Sequence, residues 1–268
     1  RQEMNGSKDL KTIIYFKGVY DTLDLFTDHL IEAFESMGYG TFVYHTANEE
    51  VSKKMLLRLL GESQEFAAVT FNNLGYNLSF EQSEAAEDEE KKPEEHNIWN
   101  YFHIPYIDIL MDHPFHYEKP LCNMPETAVI LCTDRNHEKY IRRFFKNIHQ
   151  TDFLPHAGVE LGHKHKPLND RNIDVLYAGA LPIYTVAKMI PDIHSIPEVD
   201  GEHMMQSVLG ELVQHPEQTT EQAIEAYVKS VRGDISDERL QEIIVKMRFL
   251  DSYATSFFRE QAVRILVE

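Results

Sequence analysis

The chain has 268 residues, of which 43% are hydrophobic and 11% aromatic, so it can bury a large core and is not globally disordered. Its 44 acidic and 26 basic side chains give a net charge of −18. This balance excludes nucleic acid and anionic lipid as expected partners, because both require clustered Lys and Arg. An uninterrupted apolar run of membrane-spanning length is missing, and only two cysteines occur, Cys122 and Cys132. These features predict a cytoplasmic location without disulfides.

Strand-like and helix-like segments alternate over the first two thirds of the chain. Lys11–Lys17 is a short apolar run that suits a buried strand, and Thr22–Met37 repeats apolar residues at helical spacing. Further strands are predicted at Gly40–His45, Phe66–Phe71, Ile104–Met111, Thr127–Cys132, Asp152–Leu154 and Ile173–Ala178, and further helices at Val51–Leu60 and Arg135–Ile148. This alternation predicts the α/β class, with a Rossmann-like parallel sheet covered by helices on both faces.

Two segments depart from this alternation. Glu81–Glu95 contains no apolar residue larger than Ala, and it is predicted to be an exposed, mobile acidic insert. After Gly179 the pattern becomes helical, at Gly201–Gln214, Thr219–Arg232, Ser236–Met247 and Asp251–Val267. We therefore predict an α/β domain over residues 1–178 and an α-helical segment over 179–268.

Several short catalytic motifs are missing from the sequence. It has no glycine-rich dinucleotide fingerprint, no phosphate-binding loop of the Walker type, no zinc-protease motif and no nucleophile elbow. His163 and His165 are separated by one residue, with Lys164 between them and Lys166 after them. That spacing is poor for a metal site and favours a solvated loop. We therefore expect neither a metal nor a cofactor.

The strongest polar cluster follows the predicted strand that ends at Met111. Asp112 and His113 are candidates for a general base, and His116 and Tyr117 could hydrogen-bond a hydroxyl-rich substrate. Ligands of parallel sheets bind at the carboxyl ends of the strands, where this segment is expected to lie. The alternative is a turn whose Asp caps the next segment and whose histidines are structural.

Two further turns are candidates for the wall of the same cleft. Gly18, followed by Tyr20, lies between the first strand and the first helix, where glycine lets backbone amides approach a ligand. His156 and Gly158 follow another predicted strand. A plain strand-to-helix turn and a polar loop remain the alternatives at these two places.

The order of several segments resembles one group of bacterial glycosyltransferase-like proteins, the spore-maturation-protein-like relatives of the group-1 enzymes. The segments are IIYFKGVYDTLDLFTDHLIEAFESMGY, MDHPFHY, VILCTDRNHEKYIRRFF, FLPHAG, IDVLYAGA and LDSYATSFFREQAVRILVE. The resemblance covers most of residues 11–268. It implies a GT-B architecture, in which an N-terminal Rossmann-like half faces the acceptor and a C-terminal half binds the nucleotide sugar.

The resemblance implies transfer of a sugar from a nucleotide-sugar donor to a glycan or protein acceptor, without an obligatory metal. The donor-binding half would begin where this chain stops, at Glu268, so the chain alone is expected to be inactive. One alternative is an interaction module in which the C-terminal helices are a surface for dimerisation or for a partner. A third hypothesis is a sugar- or nucleotide-binding sensor with a sealed pocket.

Overall fold

The computed structural model describes residues 11–62, 65–82, 94–158, 166–179, 196–197 and 199–267. The chain divides into two compact units, Arg1–Pro155 and His156–Glu268. The helices of the first unit are α1 (Asp21–Ser36), α2 (Glu49–Leu60), α3 (Ile98–Tyr101), α4 (Glu118–Cys122) and α5 (Arg135–Phe144). Its strands are β1 (Thr12–Lys17), β2 (Gly40–His45), β3 (Phe66–Phe71), β4 (Ser79–Gln82), β5 (Glu94–Asn97), β6 (Tyr106–Leu110), β7 (Ala128–Cys132) and β8 (Gln150–Phe153).

Six of these strands form one parallel sheet in the order β2-β1-β3-β6-β7-β8. Alternate residues of β1 show that the sheet is buried on both faces. Ile13 and Tyr15 pack into the cluster under α1, and the intervening Ile14 is fully buried on the other side. Burial on both faces explains why β1 is a continuous apolar run rather than an alternating one. The predicted α/β parallel sheet is confirmed.

The strand order contains a reversal of direction between β1 and β3. From β1 the chain passes through α1 to β2 on one side, and then through α2 back to β3 on the other. Because crossover connections between parallel strands are right-handed, α1 and α2 lie on opposite faces of the sheet. In open parallel sheets, ligands bind at such a reversal point, outside the carboxyl ends of the strands, so the ends of β1 and β3 are the first place to look for a site.

The two ends of the predicted acidic insert are not a loop. Strands β4 and β5 form an antiparallel hairpin that pairs Glu81 with Glu95, so both ends of the predicted insert are strand. The rest of the insert, residues 83–93, lies outside the described residues. Asn97 ends the hairpin and caps α3, because its side-chain oxygen accepts from the backbone amides of Trp99 and Asn100.

The strand predicted at Ile173–Ala178 is absent from the structure. These residues have no regular secondary structure, and Val175 and Leu176 are more than half exposed. Apolar composition and β-branching favour a strand, but a strand also needs a neighbour to satisfy its backbone hydrogen bonds. The prediction was wrong because sequence alone does not supply that neighbour.

The second unit contains the predicted helices, α6 (Gly201–Gln214), α7 (Thr220–Arg232), α8 (Asp237–Lys246) and α9 (Phe249–Val267). Thr219 and Gln222 form a capping box at the start of α7, and the Ser236 hydroxyl caps α8. Their apolar stripes pack together through buried residues such as Ile224 and Ile243. Within the described ranges, no helix has the length and hydropathy needed to cross a membrane.

Gly75 provides a test of the packing beneath the loop after β3. Its φ is +78°, and an added Cβ would lie 2.3 Å from two atoms of the Phe16 ring, which is 3% exposed. Gly75→Ala should therefore lower the free energy of unfolding by about 3 kcal/mol, through backbone strain and overpacking. Urea unfolding followed by the fluorescence of Trp99, the one tryptophan in the sequence, measures this change.

Gly38→Ala is the matched control, since Gly38 has a φ of +90° and no atom within 4 Å of an added Cβ. It should cost only the backbone strain, about 1 kcal/mol. Equal losses in the two variants would show that the contact with Phe16 is not the cause.

Candidate functional site

The carboxyl ends of β1, β3 and β6 bring several polar residues to one edge of the sheet. Lys17 and Gly18 end β1, Asn72 follows β3, and Asp112 lies two residues beyond β6. Because β3 pairs with β1 on one side and with β6 on the other, these three strand ends are neighbours. This edge includes the reversal point of the sheet and is the candidate site.

The loop after β3 is a turn with two consecutive left-handed residues. Asn72 and Asn73 have φ angles of +48° and +66°. Asparagine tolerates this region better than other side chains, but two such residues in succession need support from their surroundings. The Asn73 backbone N–H donates to Asp108 Oδ1 at 2.9 Å, and the Leu74 carbonyl accepts from the hydroxyls of Thr70 and Tyr106 at 3.0 and 2.8 Å. Side chains of strands β3 and β6 thus fix the backbone of this turn.

The Asn72 side chain carries this fixed geometry to Asp112. Its Oδ1 accepts from the Met111 backbone amide at 2.8 Å, and its Nδ2 donates to Asp112 Oδ2 at 3.0 Å. The Tyr117 hydroxyl donates to the same Oδ2 at 2.8 Å. Among the described residues none donates to Asp112 Oδ1, and Asp112 is exposed. The carboxylate is therefore oriented on one oxygen and available to a ligand on the other.

The turn after β1 is already occupied by acidic side chains of the protein itself. The Gly18 amide donates to both carboxylate oxygens of Asp24, at 3.0 and 3.1 Å. Lys17 Nζ donates to both oxygens of Asp28, at 2.7 and 2.8 Å. An amide and an ammonium at this position could bind a phosphate, but here both groups are satisfied by carboxylates. This part of the edge disfavours an anionic ligand.

The two histidines of the Asp112–Tyr117 segment have different surroundings. His113 Nδ1 accepts the backbone N–H of Phe115 at 3.2 Å and so caps the 3-10 turn Pro114–Tyr117. Its ring stacks on Phe115 with centroids 3.6 Å apart and meets the Tyr140 ring edge-on. His116 is exposed. Because capping engages the His113 Nδ1 lone pair, Asp112 is the better placed of the two candidate bases.

Tyr117 and Tyr20 lie near each other at this edge. Burial raises the pKa of Tyr117 well above its ordinary value, and the hydrogen-bonded Asp112 and the nearby Tyr20 raise it further. Tyr117 therefore remains a neutral hydrogen-bond donor to Asp112 at physiological pH. Tyr20 is 60% exposed and is free to contact a ligand.

The remaining candidates are His156 and Gly158, which are exposed residues of the second unit. Gly158 has no atom within 4 Å of a built Cβ, so close packing does not require glycine there. His163 and His165 lie outside the described residues. No group of three His, Cys, Asp or Glu side chains suited to a metal occurs in the described part of the chain.

Sequence reasoning missed Asn72, Asn73 and Asp108, and it missed the two acids of α1 that close the first turn. A signal existed for Asp108, since an acid in the middle of an apolar strand requires a partner. Asn-Asn followed by Leu-Gly after a strand is also a recognisable left-handed turn. Neither pattern reveals that the acid and the turn are partners, because they are 35 residues apart in the sequence.

Comparisons with protein-family models, with curated proteins and with solved structures find no match to this chain. A function is therefore inferred from the geometry of the site at the carboxyl ends of β1, β3 and β6.

Asp108 should make the stability of the first unit depend on pH. The side chain is fully buried, and burial raises its pKa from 3.8 to about 7, although the Asn73 amide opposes this rise. Between these values the folded carboxyl keeps a proton that the unfolded one has lost, so stability is present at low pH and is lost as pH rises through the folded pKa. The limiting slope for one proton is about 1.4 kcal/mol per pH unit.

Asp108→Asn should remove this component and flatten the dependence of unfolding free energy on pH between 5 and 7. Urea unfolding at several pH values, followed by Trp99 fluorescence, measures the slope. Asp152→Asn is the control, because Asp152 is an exposed residue of the edge strand β8 and should leave the slope unchanged. Identical slopes in wild type and Asp108→Asn would contradict this account.

Proposed function

We propose that this chain is the acceptor-side half of a glycosyltransferase and that its strand-end site binds a neutral, hydroxyl-rich ligand. The observation that carries the proposal is the arrangement around Asp112, whose Oδ2 is held by Asn72 and Tyr117 while Oδ1 remains available. A carboxylate oriented in this way accepts hydrogen bonds from sugar hydroxyls. The proposal also agrees with the resemblance of the sequence to GT-B enzymes.

The chemistry of the β1 turn supports an acceptor rather than a donor role for this half. Nucleotide sugars carry a diphosphate, which needs free amides or cations. Asp24 and Asp28 occupy the Gly18 amide and the Lys17 ammonium, and their charge would repel a diphosphate. In this proposal the donor is held by a domain outside residues 1–268.

In the transfer reaction Asp112 would act as the general base. Its carboxylate would accept the proton of the acceptor hydroxyl as that oxygen attacks the anomeric carbon, and the bond to the nucleoside diphosphate would break. Tyr117 and Asn72 would keep the carboxylate in place by donating to Oδ2, which leaves Oδ1 to accept the proton. A positioned base of this kind contributes roughly 100- to 10,000-fold to the rate.

Saccharide binding tests the site directly. A panel of methyl glycosides and disaccharides, followed by saturation-transfer NMR and calorimetry, should include ligands that bind this chain. Asp112→Ala should weaken that binding about tenfold or more, because it removes a charged hydrogen-bond acceptor. Asp152→Ala, an exposed acid on β8, is the matched control and should bind as the wild type does.

Inorganic phosphate and uridine diphosphate serve as contrasting ligands in the same assay. Neither should shift the Gly18 amide resonance, since that amide is bonded to Asp24. The proposal is wrong if no saccharide binds, if Asp112→Ala binds as well as wild type, or if the diphosphate binds at Gly18.

A second candidate function, an interaction module, is favoured by the surface of α9. Ile265, Leu266 and Val267 are 73%, 57% and 81% exposed at the end of this helix. Large apolar side chains that are exposed to this extent are often covered by a partner protein. If this surface is an interface between copies, the chain should be a dimer in solution and Leu266→Asp should convert it to a monomer. Light scattering after size-exclusion chromatography measures the mass, and a monomeric wild type at 100 μM or so would remove the support for this candidate.

A further inference from the structure

Two hydrogen bonds and the peptide bond between Asn72 and Asn73 connect the buried Asp108 to the exposed Asp112. Asp108 Oδ1 accepts from the Asn73 amide, Asn73 adjoins Asn72 in the turn, and the Asn72 side chain donates to Asp112. Asp108 is 0% exposed and does not itself reach the ligand side of the site. We propose that Asp108 is the positioning residue of this site, and that its charge determines how firmly the Asn72–Asn73 turn holds Asp112.

The backbone of the Asn72–Asn73 turn makes its geometry sensitive to Asp108. Two consecutive left-handed asparagines are strained, and such strain persists only where neighbouring groups impose it. The bond from Asp108 acts on the second asparagine, directly at the strained backbone. A carboxylate accepts a stronger hydrogen bond from an amide than a carboxylic acid does, so loss of the charge loosens the turn.

The charged form of Asp108 has few hydrogen-bond donors around it. Asp108 Oδ2 and both polar atoms of the Asn73 side chain are buried without a hydrogen-bond partner in the described part of the chain. The Asn73 amide is therefore the main contact that stabilises the charged form. Since a buried, under-solvated carboxylate titrates at a raised pH, the charge changes near neutrality.

The other titratable groups close to Asp108 do not change charge in this range. Tyr106 lies on the same strand, Tyr117 in the 3-10 turn and Cys132 on β7, while β3 contributes the uncharged Thr70. Burial raises the pKa of each of the three acids above its ordinary value, so all remain neutral between pH 5.5 and 8.5. Of these four titratable groups, Asp108 is the one that changes charge in this range, so the pH response of the Asn73 amide is assigned to Asp108.

The coupling is measurable by NMR on the full chain without any ligand. Between pH 5.5 and 8.5 the Asn73 backbone amide and the Asn72 side-chain amide should shift together, in one transition with a common midpoint. In Asp108→Asn that transition should disappear from both signals, whereas Asp152→Asn should retain it. Unchanged titration of the Asn72 amide in Asp108→Asn, or movement of Asn73 without Asn72, would overturn the proposal.

A second variant tests the link between the turn and Asp112. Asn72→Gly keeps a residue that tolerates positive φ but removes the amide that contacts Asp112. The carboxyl carbon of Asp112 should show a second titration step, with the midpoint of Asp108, in wild type and not in Asn72→Gly. This variant also keeps the test decisive if Asp108→Asn does not fold. The same step in both proteins would show that Asp108 affects Asp112 by another route.

The consequence for binding rests on the proposed function, and the two can fail separately. A saccharide that binds at Asp112 should bind more tightly at pH 8 than at pH 6, by at most about tenfold per pH unit, the limit for one linked proton. Asp108→Asn should remove that dependence. If the NMR coupling is found but no saccharide binds, the proposed function fails and the positioning role stands. If a saccharide binds and Asp108→Asn leaves the pH dependence of its binding unchanged, the positioning role fails.

Discussion

The hydrogen bond between the Asn73 amide and the buried Asp108 carboxylate connects the sheet to its polar edge. It holds the backbone of the second left-handed asparagine, and the adjacent Asn72 donates a side-chain hydrogen bond to Asp112. The cost is a carboxyl group removed from water, with one oxygen that has no hydrogen-bond partner among the residues the structure describes. Buried groups that lower stability in this way are found more often at functional sites than elsewhere in a protein.

The location of the site follows from the connectivity of the sheet. The chain reverses direction between β1 and β3, and ligands of open parallel sheets bind at such reversal points. Gly18 and Asp112, which follow β1 and β6, are exposed there. The same ends carry an excess of carboxylates, and the Gly18 amide is bonded by one of them. These carboxylates disfavour a phosphate at this edge, which supports the proposal of a neutral, hydroxyl-bearing ligand.

Gly75 and Trp99 show how the packing beneath the site maintains the turn. The Trp99 indole N–H donates to the Gly75 carbonyl at 2.8 Å, and the Phe16 ring lies where a side chain at position 75 would stand. The loop is thus fixed at three successive places, by Asp108, by the hydroxyls of Thr70 and Tyr106 that reach Leu74, and by Trp99. Loops fixed so fully are suited to hold a binding group in one orientation.

The sequence by itself determined the parallel sheet, because predominantly apolar runs such as Phe66–Phe71 and Ala128–Cys132 alternate with amphipathic helices. It also placed Asp112 and Tyr117 at a strand end, and the structure puts a hydrogen bond between them. Local patterns carry this information, since helix and strand periods and turns depend on near neighbours.

Only the tertiary structure decided which distant residues meet. The pairing of Asp108 with Asn73, the occupation of Gly18 by Asp24 and the capping role of His113 depend on strand order and on side-chain directions that no local pattern specifies. The failure at Ile173–Ala178 has the same origin, because a strand exists only where another strand accepts its hydrogen bonds. Sequence spacing fixes what each segment can form, and contacts across the fold fix what it does form.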